Sequence, residues 1–415
     1  MKIAKLLYIP VSFLLLTIRV AAFSPLSLSI EELTESLGGK IGRARAAWDC
    51  YRLGVDPQIF YGQEPDASID ASVTIRFPLI QESSSRKDIY KLLPSRRRNQ
   101  GLGVPAVKNL ALLTPGGIEE SIGTISHLTR AKDGTTKLLI KLAADGLEVE
   151  TVIIPWKERS TVCISSQVGC RQGCTFCATG RMGRLRSLTV DEILVQVFLA
   201  QKVCRVIDIV PVDGVVFMGM GEPADNAESV VKVAEVLSNG ETGFGLRQTK
   251  ITISTVGPTP EAFSILGKAP AALAWSVHAS KDELRKKLVP TTKFSMTELR
   301  KGYLDALSQR PTKLRTSMIE VALIGGINDS PDDAEHLADF VLQIMKDVQG
   351  AKIIINIIPF NNIPGSHFGK PSDDALLEFL NTLRIKGVKS RIRQTRGDDE
   401  SAACGQLATK KQLSA

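Results

Sequence analysis

The stretch Cys163-Ile-Ser-Ser-Gln-Val-Gly-Cys170-Arg-Gln-Gly-Cys174-Thr-Phe-Cys177 decides the fold of this 415-residue chain. Within it, Cys170, Cys174 and Cys177 follow the spacing C-x3-C-x2-C. A structural zinc ion takes four protein ligands, and an ordinary four-cysteine iron–sulfur cluster does too. Three thiolates therefore predict a 4Fe–4S cluster with one iron left open. An open coordination position is typical of a catalytic site.

The composition of the loop supports a cluster. Glycine lets a backbone approach an inorganic cluster closely, and Phe176, directly before the last cysteine, would shield it from water. The alternative is three reduced thiols in a packed loop, which does not account for the glycines. They are Gly169, Gly173, Gly180 and Gly183.

Composition sets broad limits on the class of protein. A hydrophobic fraction of 43% supports a sizeable core and argues against disorder. The net charge of +8 and a pI of about 9.1 permit a nucleic-acid partner without requiring one. Seven cysteines, an odd number in a chain this long, do not indicate a disulfide scaffold.

Residues 1–29 are predicted to be a targeting presequence. Lys2 and Lys5 precede an apolar run over 6–18, which is too short to span a bilayer and fits a signal peptide. The alternative is a short buried helix. An open cluster and free thiols need a reducing compartment. The junction Ala22-Phe23-Ser24-Pro25 resembles bipartite plastid presequences, which implies the plastid stroma, with a mitochondrion or other organelle as the alternative. We expect no stable membrane association.

Two small regions precede the main domain. Residues 30–110 are predicted to be a helical accessory domain that binds RNA, since 39–48 set basic side chains beside an apparently exposed Trp48, and 86–98 are strongly basic. The alternative is a solvated helix face. Residues 111–155 are predicted to be a β-rich connector with strands at 136–142 and 148–154.

Residues 156–409 are predicted to be the core domain, followed by a tail at 410–415. Strands that are almost entirely apolar alternate with helices, which indicates a parallel sheet of α/β class. About six βα units would form a partial barrel, with its site at the carboxyl ends of the strands. The predicted strands are 161–165, 214–218, 250–254, 273–278, 317–323, 352–358 and 390–393. The predicted helices are 190–206, 227–237, 296–307, 332–346 and 373–386.

Several polar or glycine-rich positions fall at or near these strand ends and are candidate cofactor contacts. After one strand, the glycines of Met218-Gly219-Met220-Gly221-Glu222-Pro223 let backbone groups approach a ligand, and Glu222 can accept from an ammonium group. Taken singly, most of these residues would be structural, and their shared placement favours a site. The candidates are Gly221, Glu222, Ser254, Ser276, Val277, His278 and Asn356.

Cys404 lies in a glycine-containing, charged loop over residues 394–407, where a lone cysteine is accessible and a candidate reactive thiol. The alternative is an ordinary surface thiol. Read together, Cys163, the three clustered cysteines and Cys404, with the motifs Gly-Met-Gly-Glu-Pro, Ser-Val-His and Ile-Pro-Phe-Asn-Asn-Ile-Pro-Gly, resemble the radical S-adenosylmethionine methyltransferases that act on C2 of adenine in rRNA and tRNA. The similarity runs from about residue 30 to 409 and departs most around 81–101.

The resemblance implies a radical S-adenosylmethionine barrel, a three-cysteine 4Fe–4S cluster and two S-adenosylmethionine molecules per turnover. Adenine C2 is electron-poor and a weak nucleophile, so a radical route replaces direct attack. In the family, the cysteine matching Cys404 carries the methyl group and crosslinks to the base. The residue matching Glu150 accepts the C2 proton, and the one matching Cys163 releases the product through a transient disulfide with Cys404.

The implied partners are large-subunit, 23S-type rRNA, with tRNA as a further substrate, and an electron donor such as ferredoxin or flavodoxin. Two alternatives stay open. The sister group that methylates adenine C8 shares every motif quoted, and a non-methylating protein that binds the cluster and S-adenosylmethionine would keep the fold. Cys50 and Cys204 are left over and are expected to be structural.

Overall fold

The computed structural model describes residues 24–62, 86–94 and 101–408. The apolar run of the predicted presequence and Arg96, Arg97 and Arg98 of the basic segment lie outside these ranges. Residues 24–29, which the prediction includes in the presequence, are packed on the core domain. Leu26 is fully buried, and Ser24 and Ser27 both donate to the carboxylate of Asp191. The end of the presequence stays a prediction, but a cut at 29 would remove packed chain.

The accessory region is helical, and helices continue past the predicted boundary at residue 110 into the predicted β-rich connector. Its helices are α1 (Ile30–Ser36), α2 (Ile41–Tyr51), α3 (Pro57–Gly62), α4 (Arg86–Leu92), α5 (Gly103–Leu113) and α6 (Ile118–Ser121). Ser29 caps the start of helix α1. Its hydroxyl accepts from the Glu32 amide, while the Glu32 carboxylate accepts from the Ser29 amide.

The expectation that Trp48 is exposed is wrong. Its ring is fully buried and packs edge-on against Tyr51 and Phe244, with ring centroids 5.5 and 5.6 Å away. The indole therefore holds the accessory helices against the core domain and cannot stack on an RNA base.

One ten-stranded sheet forms the centre of the described chain, in the order β1-β2-β3-β4-β7-β8-β9-β10-β11-β12. From β4 to β12 the pairing is parallel, and helices connect successive strands. The predicted α/β partial barrel of six βα units is confirmed. Its strands are β4 (Ser160–Cys163), β7 (Val212–Phe217), β8 (Ile251–Thr255), β9 (Ala272–Ser276), β10 (Thr316–Leu323), β11 (Lys352–Pro359) and β12 (Ser390–Ile392).

The helices of the core domain lie where the apolar periodicity predicts them, with two additions, α10 and α11, and a single turn, α7, beside the cysteines. They are α7 (Ala178–Arg181), α8 (Val190–Val206), α9 (Ala227–Ser238), α10 (Pro260–Gly267), α11 (Asp282–Leu288), α12 (Met296–Ser308), α13 (Pro331–Asp347) and α14 (Asp373–Ile385). No described helix is both long enough and apolar enough to cross a membrane.

The β-rich connector is continuous with the barrel. Strands β1 (Gly123–Arg130), β2 (Thr136–Leu142) and β3 (Glu148–Pro155) pair antiparallel, and β3 then pairs with β4, with Val152 opposite Cys163. β1 was not predicted. Buried apolar side chains from the helical region, the connector and the barrel form one cluster. The connector therefore forms one wall beside the first barrel strand.

Candidate functional site

Two cavities meet inside the barrel, with volumes of 590 and 140 Å³. Their positions follow from the two-residue period of the strands. On or directly after four strands, a residue nearer the amino end lines the larger cavity alone, and the residue two positions later borders the smaller one. These pairs are Val216 and Met218, Thr252 and Ser254, Met318 and Glu320, and Asn356 and Ile358. The smaller cavity thus lies at the carboxyl ends of the strands.

The three clustered cysteines all line the smaller cavity. A hairpin that the sequence did not predict, β5 (Gln167–Cys170) and β6 (Gly183–Ser187), holds their loop. The hairpin requires glycine at Gly169, where φ is 75° and an added Cβ would lie 1.9 Å from a backbone oxygen of Gly183.

The cysteine site fits a cluster better than a single ion. Among the described residues, no three His, Cys, Asp or Glu side chains are close enough to hold one metal ion, whereas each cysteine of a cluster binds a different iron. Burial and their mutual charge raise the pKa of Cys170 to about 12 and that of Cys174 well above its usual value. A cationic centre is therefore needed to hold these groups as thiolates.

Glu222 lines the same smaller cavity as the three cysteines. Its carboxylate accepts from the backbone amides of Val256, at 3.0 Å, and Ala224, at 2.9 Å, and from the Thr255 hydroxyl. Burial raises its pKa to about 7. Gly221 beside it has a φ of 104°, and an added Cβ would lie 2.6 Å from Gln167. This is a close backbone cradle with one carboxylate, which suits an ammonium group.

Hydroxyl groups and an imidazole complete this cavity. The Ser254 and Ser276 hydroxyls are 2.9 Å apart. His278 has a φ of 58°, and its Nδ1 accepts from the Ala322 amide at 3.1 Å, so Nε2 carries the proton. Burial, followed by the charge of Arg285, lowers the His278 pKa to about 3. The imidazole is neutral, and its ring lies 4.6 Å from that of Phe176.

Two of the predicted cofactor contacts, Val277 and Asn356, are not among the described residues that line the smaller cavity. The Val277 side chain is fully buried in the apolar core, and its amide donates to the Glu320 backbone oxygen at 3.0 Å. Asn356 lines the larger cavity and not the smaller one. The period of the strand explains its position, because Ile358 takes the place nearer the carboxyl end.

Cys163 and Cys404 come together in the larger cavity. Cys163 ends β4, while Cys404 is held in its loop by the Asn361 amide, which donates to the Cys404 oxygen at 3.0 Å. Cys404 also lines the smaller cavity, so this residue borders both. Burial raises the pKa of both thiols, that of Cys163 to about 12, and the nearby Arg393 guanidinium acts in the opposite direction.

Glu150 is buried on β3 behind the carboxyl-terminal segment. Its Oε2 accepts from the Ala408 amide at 3.1 Å, and its Oε1 lies 3.6 Å from the Lys137 ammonium. Burial raises the Glu150 pKa, which Lys137 partly offsets. Glu150 is not among the described residues that line either cavity, but Val152 and Ile154, on the same face of β3, line the larger one.

Comparisons with known proteins agree with this geometry. Residues 164–341 match the family model of the radical SAM superfamily. Over 281 residues the chain is 42% identical to the dual-specificity RNA methyltransferase RlmN of Marinobacter nauticus, which covers 67% of this chain and 73% of that protein. It belongs to the RlmN family of radical S-adenosylmethionine methyltransferases.

Two further comparisons support the assignment. RlmN of Lawsonia intracellularis is 37% identical over 303 residues, or 70% of this chain and 80% of that protein. The crystal structure of a radical SAM methyltransferase from Sphaerobacter thermophilus superposes with a TM-score of 0.70 at 32% identity, covering 93% of this chain and 99% of that one. As an RlmN-family enzyme, the chain uses a 4Fe–4S cluster bound by three cysteines, together with S-adenosylmethionine.

Sequence reasoning missed one network in this RlmN-family barrel. Glu320, only 1% exposed, lines both cavities and accepts from Asn356 Nδ2 at 2.6 Å. Asn356 Oδ1 in turn accepts from Arg391 Nε at 2.6 Å, and the Arg393 guanidinium lies 3.6 Å from Glu320 Oε2. The carboxylate of Glu320 within the apolar strand β10 could have indicated this network from the sequence, because a buried charge needs a partner.

The larger cavity is electropositive. Its charged lining among the described residues consists of four arginines and one carboxylate, that of Glu320. An excess of arginine favours a polyanionic substrate. The arginines are Arg159, Arg391, Arg393 and Arg396.

Proposed function

We propose that this enzyme transfers a methyl group to C2 of an adenine in large-subunit rRNA, with tRNA as a second substrate. One observation carries the proposal: Cys163 and Cys404 line the same arginine-rich cavity, and Cys404 also borders the cavity of the three cluster cysteines. The names of the two relatives, both dual-specificity RNA methyltransferases, support an RNA substrate.

In this proposal Cys404 carries the methyl group between the two cavities. When bound, the cluster and S-adenosylmethionine supply the methyl group and the one-electron chemistry. The smaller cavity offers Glu222 for the ammonium group and the Ser254 and Ser276 hydroxyls for polar groups of the cofactor. The adenine enters the larger cavity and meets the Cys404 sulfur from the other side.

Cys163 releases the product. Its thiolate attacks the Cys404 sulfur, a disulfide forms, and the bond from that sulfur to the methylene group on adenine C2 breaks. The electron pair goes to the methylene carbon, which then takes up a proton. Arg393 favours this step because its charge stabilises the thiolate form of Cys163. A thiol reductant must reopen the disulfide before the next turnover.

Glu150 accepts the proton that leaves C2. Its raised pKa makes it a stronger base than an exposed carboxylate, which suits this role. It lies on the face of β3 that continues into the larger cavity, and the Ala408 amide and Lys137 hold its two oxygens.

The experiment is anaerobic methyl transfer. The purified enzyme is incubated with large-subunit rRNA, a one-electron reductant and S-adenosylmethionine labelled in its methyl group. Wild type should label adenine, and Cys404→Ala should transfer no methyl group, because it lacks the sulfur that carries it. Cys204→Ala is the matched control, because Cys204 is buried outside both cavities. Full transfer by Cys404→Ala would disprove the mechanism.

We also propose a plastid stromal address and a ferredoxin or flavodoxin as electron donor. The presequence pattern over 1–29 supports the address, and the need for single electrons supports the donor. A fluorescent protein fused behind residues 1–29 should enter plastids, and mitochondrial or secreted fluorescence would contradict the proposal. Reduced ferredoxin or flavodoxin should replace the chemical reductant in the methylation assay.

A further inference from the structure

The rim of the larger cavity carries an exposed tryptophan beneath an arginine. Trp156 is 38% exposed and lines this cavity, as does Arg396. The guanidinium carbon of Arg396 lies 4.9 Å from the centroid of the indole ring, within the range of a cation–π contact. The mechanism proposed above uses neither residue.

Both side chains are held in place by neighbours. The indole Nε1 donates to the Thr161 hydroxyl at 3.2 Å, and the Trp156 amide donates to the Arg159 oxygen at 2.7 Å, which fixes the turn between β3 and β4. Arg396 lies 3.7 Å from the Asp133 carboxylate, and its buried Nε has no hydrogen-bond partner within the part of the chain that the structure describes. A fixed aromatic ring loses little entropy when another ring stacks on it.

The surroundings favour a nucleic-acid base. Arg159, Arg391 and Arg393 line the same cavity as the pair, and their charges attract phosphate groups. Proteins that bind single-stranded nucleic acid combine such a basic groove with aromatic side chains on which bases stack. A purely apolar ligand would not need the arginines.

We propose that Trp156, held by Arg396, is a stacking platform for the base next to the target adenine. This inference rests on the proposed RNA methyltransferase function. Pro155, which directly precedes Trp156, pairs with Ser160. Cys163 lies three residues farther along β4, so about 10 Å separates Ser160 from Cys163 along the strand. An adenine placed at the cysteine pair therefore leaves its neighbour in reach of the indole at the rim.

The test uses Trp156→Ala and Trp156→Phe in the intact holoenzyme, with a 23S-type rRNA hairpin that contains the target adenine. Loss of one stacked base should weaken hairpin binding about 5- to 100-fold for Trp156→Ala. Trp156→Phe keeps an aromatic ring and should stay within about threefold of wild type. Ile265→Ala is the control for an exposed apolar side chain outside the cavity, at 42% exposed.

Fluorescence gives a second readout. Trp48 and Trp275 are both fully buried, so Trp156 is the accessible one of the three tryptophans. Hairpin binding should quench its emission and shield it from iodide, and Trp156→Phe should abolish this change. 2-Aminopurine placed directly 5′ or 3′ of the target should be quenched in the wild-type complex and less so with Trp156→Ala.

Each result either supports or contradicts the stacking platform. Unchanged hairpin affinity in Trp156→Ala, or unquenched 2-aminopurine at both flanking positions with wild type, would overturn it. If Trp156→Ala does not fold, the 2-aminopurine measurement on wild type and Trp156→Phe decides. If the wild-type enzyme does not methylate adenine, the proposed function is wrong. The binding and fluorescence measurements would still test the stacking platform separately.

Discussion

Asn356 donates a hydrogen bond to Glu320 at 2.6 Å in the wall between the two cavities. Asn356 also accepts from Arg391 of β12, so one amide connects three adjacent strands, β10, β11 and β12. Glu320 borders both cavities, and its second oxygen faces Arg393, the residue whose charge favours the thiolates of Cys163 and Cys404. The last strand of the barrel is thereby fixed relative to the reacting sulfur atoms.

Replacing Asn356 with aspartate tests this link. Asn356→Asp keeps the acceptor for Arg391 but sets a second carboxylate against Glu320. We expect the free energy of unfolding to fall by about 2–3 kcal/mol at pH 8, because a buried donor is lost and two like charges meet. The loss should shrink at pH 5, since protonating one carboxyl restores a donor. Thermal unfolding at both pH values measures it.

The control for that substitution is Asn362→Asp, an exposed position. It should leave the melting temperature at pH 8 within about two degrees of wild type. Equal destabilisation of Asn356→Asp at pH 5 and pH 8 would show that the carboxylate pair is not the cause.

Gly221 should be essential for cofactor binding. In Gly221→Ala the added Cβ would lie 2.6 Å from Gln167 at a φ of 104°, so the loop that carries Glu222 must shift. We expect S-adenosylmethionine affinity to fall at least about tenfold, measured by equilibrium dialysis. Gly240→Ala is the matched control, because an added Cβ there meets no atom of the described residues within 4 Å. Equal affinity in the two variants would contradict a close backbone cradle.

The amino end of the packed chain can be located by truncation. A chain that begins at Ser24 should keep the wild-type melting temperature. One that begins at Ile30 loses buried Leu26 and the donors that Ser24 and Ser27 give to Asp191. That loss should cost about 2–5 kcal/mol of unfolding free energy, measured by chemical denaturation. Identical stability of the two chains would mean that 24–29 contribute nothing to the fold.

Much of the barrel could be predicted because its signals are local. The apolar runs of β10 and β11 and the helix periodicity of α13 are properties of short segments, and they gave boundaries close to those observed. Strand β1 and the hairpin that holds the cysteines were missed. β1 alternates irregularly and contains a register shift between Ile125 and His127, so its period is not clear.

Contacts between distant segments could not be predicted in the same way. Trp48 appeared exposed because its own helix is basic, and its burial depends on Phe244, far along the chain. Within the site, the cysteines were predicted from their spacing and Glu222 from its motif. The pairing of Glu320 with Arg393 depends on the order of strands in the sheet, which the sequence alone does not reveal. Which cavity Asn356 lines depends on its exact position along β11, because Ile358, two residues later, borders the smaller cavity.

Glu150→Gln should stop the reaction after the crosslink forms, because an amide cannot accept the C2 proton. Covalent enzyme–RNA species should accumulate on denaturing gels, and Glu148→Gln, two residues earlier on β3, should behave like wild type. In the wild type the carboxylate must be ionised. Product release should therefore fall as pH drops through the Glu150 pKa, which lies above its ordinary value of 4.5. A release rate independent of pH would contradict this role.

The central claim is that the methyl group reaches adenine C2 on the Cys404 sulfur and that Cys163 frees it. The most direct measurement is mass spectrometry of the species trapped by Cys163→Ala with rRNA under anaerobic turnover. The account predicts a Cys404 peptide joined through one methylene group to C2 of a single adenine, with no free methylated RNA. Free 2-methyladenosine at the wild-type rate, or an adduct at C8 or on another residue, would contradict it.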